Sequence, residues 1–235
     1  MKPREGLTLS KSAMEAQAAP PAAAGGLAPG GERGEARART PEQAEERELV
    51  RRAQAGDETA FRRLVERHGD RAYALALRIL RSAGDAEEVA QDALVRAWRA
   101  LPRFRGDSAF SSWLHRIVVR RAFDRAAVLK VRRAREADVE IAEDLPPAAA
   151  GPDPEARERA VRLERLVAGL TEVPRTVVTL YYYQDRSVAE VAKILMMPEN
   201  TVKTHLSRAR AALRSAWMRE EDPDLRAAGT GEGDA

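Results

Sequence analysis

Apolar side chains recur every three or four residues along most of the chain, a spacing that predicts helices and no strands. In the first half it predicts a helix pair, Leu49–Ala55 and Glu58–Leu80, then a helix over Asp85–Leu101. A basic helix is predicted within Ser108–Asp124, and helical patterning returns between residues 155 and 217. The expected fold class is all-α, with two small helical domains.

Three segments interrupt this pattern and set the expected domain limits. Residues 1–41 are rich in Ala, Pro and Gly, and residues 219–235 are polar and acidic, so both are predicted to be disordered tails. Residues 136–156 combine acids with prolines and are predicted to form a flexible linker. The two helical domains are therefore expected at 42–135 and 157–218.

Composition narrows the function classes. The 235 residues include no cysteine, which excludes disulfides, cysteine-ligated metals and a cysteine nucleophile. The three histidines, His68, His115 and His205, form a metal site only if distant segments converge. The chain has no phosphate-binding loop or catalytic-triad spacing, so we expect no cofactor, no metal and no enzymatic activity. Without a signal-peptide core or an apolar stretch of membrane-spanning length, we expect a cytoplasmic protein with no membrane insertion.

The net charge of only +3 hides an uneven distribution. Residues 103–135 contain ten basic and two acidic side chains, a net charge of +8, whereas residues 136–160 carry a net charge of −6. A basic block beside an acidic tether is typical of a protein that binds a polyanion. A solvated Arg-rich helix would show the same totals, so charge alone leaves both interpretations open.

The clearest local motif lies between Ser187 and Leu213. Ser187 and Glu190 form a capping box that predicts a helix start, Pro198 ends that helix, and Asn200 or Thr201 is expected to cap a second one. In the second helix an apolar stripe is expected to be buried: Val202, Leu206, Ala209 and Leu213. Its opposite face carries small hydroxyls and cations: Lys203, Thr204, Ser207, Arg208 and Arg210. This pattern favours a helix-turn-helix with the second helix in a major groove, although an ordinary helical hairpin would share it.

A further helix is predicted over Leu166–Tyr183, ahead of this motif. The Tyr181–Tyr183 run in it fits either a stacking surface or, as we favour, a core wall that supports the helix-turn-helix.

In the first half, aromatic and basic residues alternate between Arg103 and Arg121. Phe104, Phe110 and Trp113 lie among arginines and serines, a combination that suits unstacked bases of single-stranded nucleic acid. A core role is favoured for Trp113, whereas the small polar loop Gly106–Ala109 has no core role and favours a functional one. On the preceding helix, the face opposite the apolar stripe is either solvated or a protein-docking surface.

Taken in order, the motifs AFRRLVERH, DAEEVAQDALVRAWRAL, FRGDSAFSSWLHRI, the acidic linker and SVAEVAKILMMPENTVKTHLSRARAAL resemble an extracytoplasmic-function (ECF) sigma factor of bacterial RNA polymerase. The resemblance covers about residues 45–218. It implies two domains, sigma region 2 and sigma region 4, with no enzymatic activity of their own.

The resemblance also implies roles for individual residues. One helix face is expected to dock on the clamp helices of the largest polymerase subunit: Asp85, Glu88, Gln91, Asp92, Val95 and Arg99. A second set is expected to melt and read the −10 element: Arg103, Arg105, Gly106, Asp107, Ser108, Ala109, Phe110, Arg116, Arg120 and Arg121. A third set is expected to read the −35 element: Ser187, Glu199, Asn200, Thr201, Lys203, Thr204, Ser207, Arg208 and Arg210. The implied partners are core RNA polymerase, including its flap, promoter DNA and an anti-sigma factor.

Four positions depart from the usual family pattern. Relatives often carry Asn where this chain has Arg120, which bears on the base preference expected there. Asn200 and Arg186 stand where Gly is usual, and Thr171 where Pro is common. Because Asn tolerates the left-handed backbone conformation, we expect the turn at Asn200 to be kept.

The motifs fit two functions, a promoter-specificity subunit of RNA polymerase and a free-standing transcriptional regulator. A free-standing transcriptional regulator would use the same helix-turn-helix, but it would bind duplex DNA tightly without polymerase and would not need the FRGDSAF segment.

Overall fold

The computed structural model describes residues 41–135 and 153–221, which contain helices and no strand. The amino-terminal unit comprises α1 (Pro41–Gln54), α2 (Glu58–Leu80), α3 (Ala83–Ala100), a 3-10 turn (Leu101–Arg103) and α4 (Phe110–Arg135). The carboxyl-terminal unit comprises α5 (Pro154–Ala168), α6 (Glu172–Val178), a π-helical turn (Thr179–Tyr183), α7 (Val188–Leu195) and α8 (Glu199–Glu221). The predicted all-α architecture with two domains is confirmed.

The predicted segment limits differ slightly from the helix ends. Residues 1–40, most of the predicted linker and most of the predicted carboxyl-terminal tail lie outside the described residues. Helix α5 already starts at Pro154, because Asp153 accepts a hydrogen bond from the Glu155 amide and proline at the first helical position needs no donor. Helix α8 continues to Glu221, past the predicted domain end at 218.

Local capping explains the division of the first unit into helices. The Asp57 carboxylate accepts from the Ala60 amide at 3.0 Å and so starts α2. Ser82 caps α3 in the same way, accepting from the Asp85 amide at 3.3 Å. These caps place the helix starts close to the predicted ones, and α1 extends further towards the amino terminus than predicted.

The core of the first unit lies where α2, α3 and α4 meet. Leu64, Leu75 and Ile79 of α2 are buried against Leu114 and Val118 of α4, and all five are almost fully inaccessible to solvent. The alanine-rich inner face of α3 lets this helix approach closely. This compact apolar centre fixes the orientation of α4, and therefore the orientation of the arginines along it.

The second unit corrects the sequence-based description of Leu166–Tyr183. Helix α5 ends at Ala168, and a new helix begins only at Glu172. Pro174 lies in the first turn of α6, where its missing N–H is not needed, whereas inside a continuous helix it would break a hydrogen bond. Arg175 stabilises the break by donating to the carbonyls of Ala168 and Leu170 at 3.0 and 2.9 Å.

His115 is buried in α4, and its Nδ1 has no hydrogen-bond partner among the described residues. Burial, followed by the nearby positive charge of Arg186, lowers the pKa of His115 from 6.5 to about 3. The unfolded chain therefore binds a proton near pH 6.5 that the folded chain takes up only near pH 3. Stability must fall as the pH falls through this window.

We therefore expect the native chain to lose about 2 kcal/mol of unfolding free energy at this site between pH 7.5 and 5. His115→Leu should remove this loss, because leucine fills a similar volume without a titrating group. Urea unfolding at both pH values measures the difference. The control His205→Gln should keep the native dependence, and an unchanged slope in His115→Leu would contradict the assignment.

Candidate nucleic-acid and polymerase interfaces

The predicted strand-binding loop follows the 3-10 turn and leads into α4. The Gln54 side-chain amide of α1 donates to the carbonyls of Leu101 and Phe104 at 3.1 and 2.7 Å, which fixes the start of the loop. Gly106 has a φ of +76°, a conformation that favours glycine. The backbone thus turns sharply at the point where Arg105, Gly106 and Asp107 are exposed.

Three aromatic rings pack together behind this loop. The Phe104 and Trp113 rings lie 4.8 Å apart between centroids, and Phe110 lies 5.7 Å from Trp113. Phe110 is only 3% exposed and contacts the His68 ring, so it belongs to the core. Phe104 and Trp113 are half-buried. These two rings, and not Phe110, present aromatic surface beside the loop.

A cavity of about 410 Å³ opens beside these rings. Its lining combines aromatic, cationic and small polar side chains: Arg103, Phe104, Arg105, Asp107, Ser108, Trp113, Arg116 and Lys193. The buried Nε of Arg116 has no hydrogen-bond partner among the described residues. Cations beside exposed aromatic faces are the groups that bind phosphates and stack bases. The geometry suits an unstacked nucleotide.

The sequence did not predict that Lys193 lines this cavity. It belongs to α7 of the second unit and reaches the cavity only because α7 packs on α4. No local pattern in the sequence carries this information. The other lining residues come from the segment predicted to bind the −10 element.

Acids of α3 occupy part of the basic surface of α4. Arg121 donates to Asp92 at 2.6 Å and to Asp124 at 3.0 Å, while Arg125 forms ion pairs with Asp85 and Glu88. Burial alone raises the pKa of Asp92, but hydrogen bonds from Arg96 and Arg121 outweigh it and hold the pKa below its ordinary value. Two residues expected to bind polymerase, Asp85 and Asp92, therefore also hold α3 against α4.

The outer face of α3 remains open to solvent. Glu88, Gln91, Val95 and Arg99 are exposed along it, and Gln91 hydrogen-bonds Glu87 one turn earlier. Val95 is 44% exposed. An apolar side chain surrounded by charged and amide groups is a suitable centre for a protein-docking surface.

The second unit contains the predicted helix-turn-helix in α7 and α8. The capping box is confirmed, with the Ser187 hydroxyl accepting from the Glu190 amide and the Glu190 carboxylate accepting from the Ser187 amide at 3.0 Å. The predicted apolar stripe of α8 is buried: Val202, Leu206, Ala209 and Leu213. These contacts pack α8 against α6 and α7.

The turn differs in detail from the sequence-based expectation. Helix α8 begins at Glu199, and the Pro198 carbonyl accepts from the Thr201 and Val202 amides, so neither Asn200 nor Thr201 is the cap. The left-handed residue is Met196, with a φ of +53°, and not Asn200. The helix starts at least two residues earlier than predicted, because Pro198 suits a position with no donor.

Most of the predicted −35 residues lie on the outer face of α8 or at its start. Lys203, Thr204, Ser207 and Arg208 are exposed, as are Glu199 and Asn200, and Thr201 is half-buried. Arg210 donates to the Tyr182 hydroxyl at 2.7 Å and is half-buried, and Ser187 is engaged in the capping box. Arg210 and Ser187 are therefore engaged within the protein, and fewer of the predicted −35 residues are accessible to DNA than the sequence indicated. Tyr181–Tyr183 pack against the core, as favoured from the sequence.

The structure combines a cationic aromatic cavity with a helix-turn-helix, and both helical units match family models of the sigma class. Residues 64–145 match the family model for Sigma-70 region 2, and residues 160–213 match that for Sigma-70, region 4. The RNA polymerase sigma-H factor of Pseudomonas aeruginosa is 36% identical over 183 residues, which cover 74% of this chain and 94% of that protein. The ECF RNA polymerase sigma factor SigM of Mycobacterium tuberculosis is 38% identical over 167 residues, covering 71% and 81%.

Among solved structures, CnrH in complex with the cytosolic domain of CnrY is similar, with a TM-score of 0.54 and 27% identity. The match covers 76% of this chain and 99% of CnrH. The chain belongs to the extracytoplasmic-function sigma factors of bacterial RNA polymerase.

The chain is accordingly a sigma factor for transcription initiation that binds core RNA polymerase and promoter DNA, and it is not an enzyme. None of the described helices is long and apolar enough to span a membrane.

The turn of the helix-turn-helix contains a backbone-strained residue, Met196. Met196 is 75% exposed, so its side chain contributes little burial, and its left-handed backbone is unfavourable for any residue with a Cβ. Met196→Gly should raise the unfolding free energy by about 1 kcal/mol. Chemical denaturation measures the change. Met218→Gly, which alters an exposed methionine inside α8, should destabilise the chain, and a loss of stability in Met196→Gly would contradict the strain assignment.

Proposed function

We propose that the two units divide promoter recognition, with region 2 (residues 42–135) opening and holding the −10 element and region 4 (residues 157–218) reading the −35 element. The observation that supports this division most strongly is the cationic aromatic cavity beside the 104–109 loop. A duplex presents its bases stacked and paired, whereas this cavity suits a base that has left the stack.

Capture of an unstacked base is energetically reasonable at this cavity. Removing one base from the duplex stack costs a few kcal/mol, and stacking on an aromatic side chain returns about 1–3 kcal/mol per base. Phe104 and Trp113 supply aromatic surface, while Arg103, Arg105 and Arg116 supply charge for the backbone. Arg120, exposed on the next turns of α4, extends the cationic surface along the strand.

Region 4 supports duplex reading instead. Lys203 and Arg208 lie on the exposed face of α8 with Thr204 and Ser207 between them. Lysine and arginine contact phosphates and guanine edges, and small hydroxyls accept or donate to either groove edge. The buried stripe on the opposite side of α8 holds this face outward.

The outer face of α3 supports docking on the clamp helices of the polymerase largest subunit. Its exposed residues, Glu88, Gln91, Val95 and Arg99, surround one apolar side chain, and Asp85 and Asp92 stabilise the helix beneath them through ion pairs with α4. Region 4 would contact the flap. The similar protein CnrH is bound to another protein, the cytosolic domain of CnrY. A protein partner is expected here too, namely the anti-sigma factor that the sequence resemblance implies. The site of action that follows is the cytoplasm, where the polymerase works.

The role of α8 is tested by Lys203→Ala combined with Arg208→Ala. We expect initiation at −35-dependent promoters to fall at least tenfold, because each lost base or phosphate contact weakens binding by about 1–3 kcal/mol. In-vitro transcription of genomic DNA with core polymerase from the same organism measures initiation, and fluorescence anisotropy measures core binding. The matched control, Arg214→Ala with Arg219→Ala, removes two exposed arginines further along α8 and should initiate normally.

Two outcomes would count against the proposal. Loss of core binding in Lys203→Ala with Arg208→Ala would contradict the division of roles. Tight, sequence-specific duplex binding by the free chain, with no initiation in the presence of polymerase, would favour the free-standing regulator.

The docking face is tested by Val95→Asp. A charge at the centre of an apolar contact loses burial and adds a desolvation cost, so affinity for core polymerase should fall at least tenfold. Val161→Asp is the matched control, because Val161 is 42% exposed on α5, outside the proposed face. Equal losses of core binding in both variants would show that the effect is not specific to α3.

A further inference from the structure

The cavity beside the 104–109 loop is lined by cations from three parts of the chain. Arg103 and Arg105 come from the 3-10 turn and the loop, Arg116 comes from α4, and Lys193 comes from α7. Within residues 41–135 and 153–221, none of these four side chains forms an ion pair with an acid. Four positive charges therefore converge on one cavity without a partner of opposite sign.

Nearby arginines, in contrast, do have acidic partners. Arg121 of α4 pairs with Asp92 at 2.6 Å, and Arg186, just ahead of α7, lies 3.4 Å from Glu190. Like charges held together repel one another, and an anion that binds between them relieves this repulsion. The unpaired cations of the cavity thus indicate an anion-binding site.

The charge of the cavity exceeds what one nucleotide of a DNA strand can neutralise. Its four cations face a single acid, Asp107, which leaves a net charge of +3. One strand nucleotide contributes a charge of about −1 from its phosphate. A terminal phosphate carries about −1.5 to −2 at pH 7, and each inner phosphate adds about −1. A free nucleoside diphosphate or triphosphate therefore matches the cavity better in charge.

The remaining lining groups suit the base and the sugar of such a nucleotide. Phe104 and Trp113 are half-buried, and their rings lie 4.8 Å apart, so their outer faces can stack a base. The Asp107 carboxylate and the Ser108 hydroxyl line the same cavity and can accept hydrogen bonds from ribose hydroxyls. The volume of about 410 Å³ lies within the range of about 300–1,000 Å³ that small-molecule sites occupy.

Arg116 provides a second indication of an absent anion. Its buried Nε–H has no acceptor among the residues that the structure describes. A buried donor without an acceptor is costly, and a phosphate oxygen bound by this guanidinium would offset that cost. Because α4 is fixed by the core of region 2, Arg116 stays beside the cavity before any ligand binds.

We propose that the cavity between α4 and α7 binds a free nucleoside polyphosphate. The base stacks on the Phe104 and Trp113 rings. The phosphates lie between Arg105, Arg116 and Lys193. An occupied cavity excludes an unstacked base, so the nucleotide competes with strand capture, and this consequence alone rests on the proposed function.

Nucleotide binding is tested with ADP that carries a fluorescent methylanthraniloyl group, titrated with the 235-residue chain in the absence of polymerase and DNA. Fluorescence anisotropy should show saturable binding. Lys193→Ala and Arg105→Ala should each weaken it at least about fivefold, because each removes a charged partner of the phosphates. Both side chains are exposed, so neither substitution disturbs the core, and circular dichroism verifies the helices.

Two further variants separate a specific contact from a general charge effect. Lys193→Arg keeps the charge at the cavity and should bind labelled ADP within about twofold of the parent. Lys130→Ala is the matched control, because it removes an exposed lysine of α4 that does not line the cavity. Equal losses of affinity in Lys130→Ala and Lys193→Ala would overturn the assignment, as would an absence of saturation below about 1 mM.

Competition identifies the chemical class of the ligand. Unlabelled ADP should displace the labelled nucleotide at a concentration at least about tenfold lower than adenosine or inorganic pyrophosphate, because it engages rings and cations together. Displacement by pyrophosphate as effective as that by ADP would reduce the cavity to a simple anion site. Equal displacement by adenosine would remove the role of the phosphates. Either result would overturn the proposal.

The titration also separates this proposal from the promoter function. Labelled ADP that binds as expected, to a chain that fails to initiate with core polymerase, would refute the proposed function and leave the nucleotide site standing. Normal initiation by a chain that does not bind labelled ADP would overturn the nucleotide site alone.

Discussion

Helix α4 has to satisfy two environments at once, and the rest of the structure depends on how it does so. Its inner face, with Leu114 and Val118, completes the core of region 2 against α2. Its amino-terminal end carries the loop, the aromatic rings and Arg116 that form the cationic cavity. Because the core fixes the rotation of α4, the cavity is held ready on a rigid element, and little conformational entropy remains to be lost when a strand binds.

Some arginines of this chain stabilise the fold, and others remain available for nucleic acid. Arg121 and Arg125 neutralise acids of α3, Arg78 pairs with Glu164, and Arg175 binds helix-end carbonyls. The planar guanidinium suits these sites, because it donates several hydrogen bonds in fixed directions. The surface left for nucleic acid is smaller than the net charge of +8 between residues 103 and 135 implies, and it is concentrated around the loop and the exposed turns of α4.

The local signals in the sequence predicted much of this structure. The capping box at Ser187 and the stripe from Val202 to Leu213 were found because caps and helical spacing act within a few residues. The left-handed residue at Met196 and the break before Glu172 were missed, since each depends on how neighbouring helices pack. The position of Lys193 at the cavity could not be predicted, because no pattern in the sequence indicates that α7 packs on α4. The interface roles of the individual residues stay predictions.

Region 2 is proposed to hold the −10 element as an unpaired strand in its cationic aromatic cavity. Permanganate, which oxidises unpaired thymines, tests this on a promoter identified by transcription of genomic DNA with core polymerase and the chain. We expect reactive thymines at the −10 element only when polymerase and chain are both present. Trp113→Ala combined with Arg116→Ala should strongly reduce this reactivity in a chain that still binds core polymerase. A fully assembled complex whose −10 thymines stay unreactive, or reactivity unaffected by that double substitution, would refute strand capture by region 2.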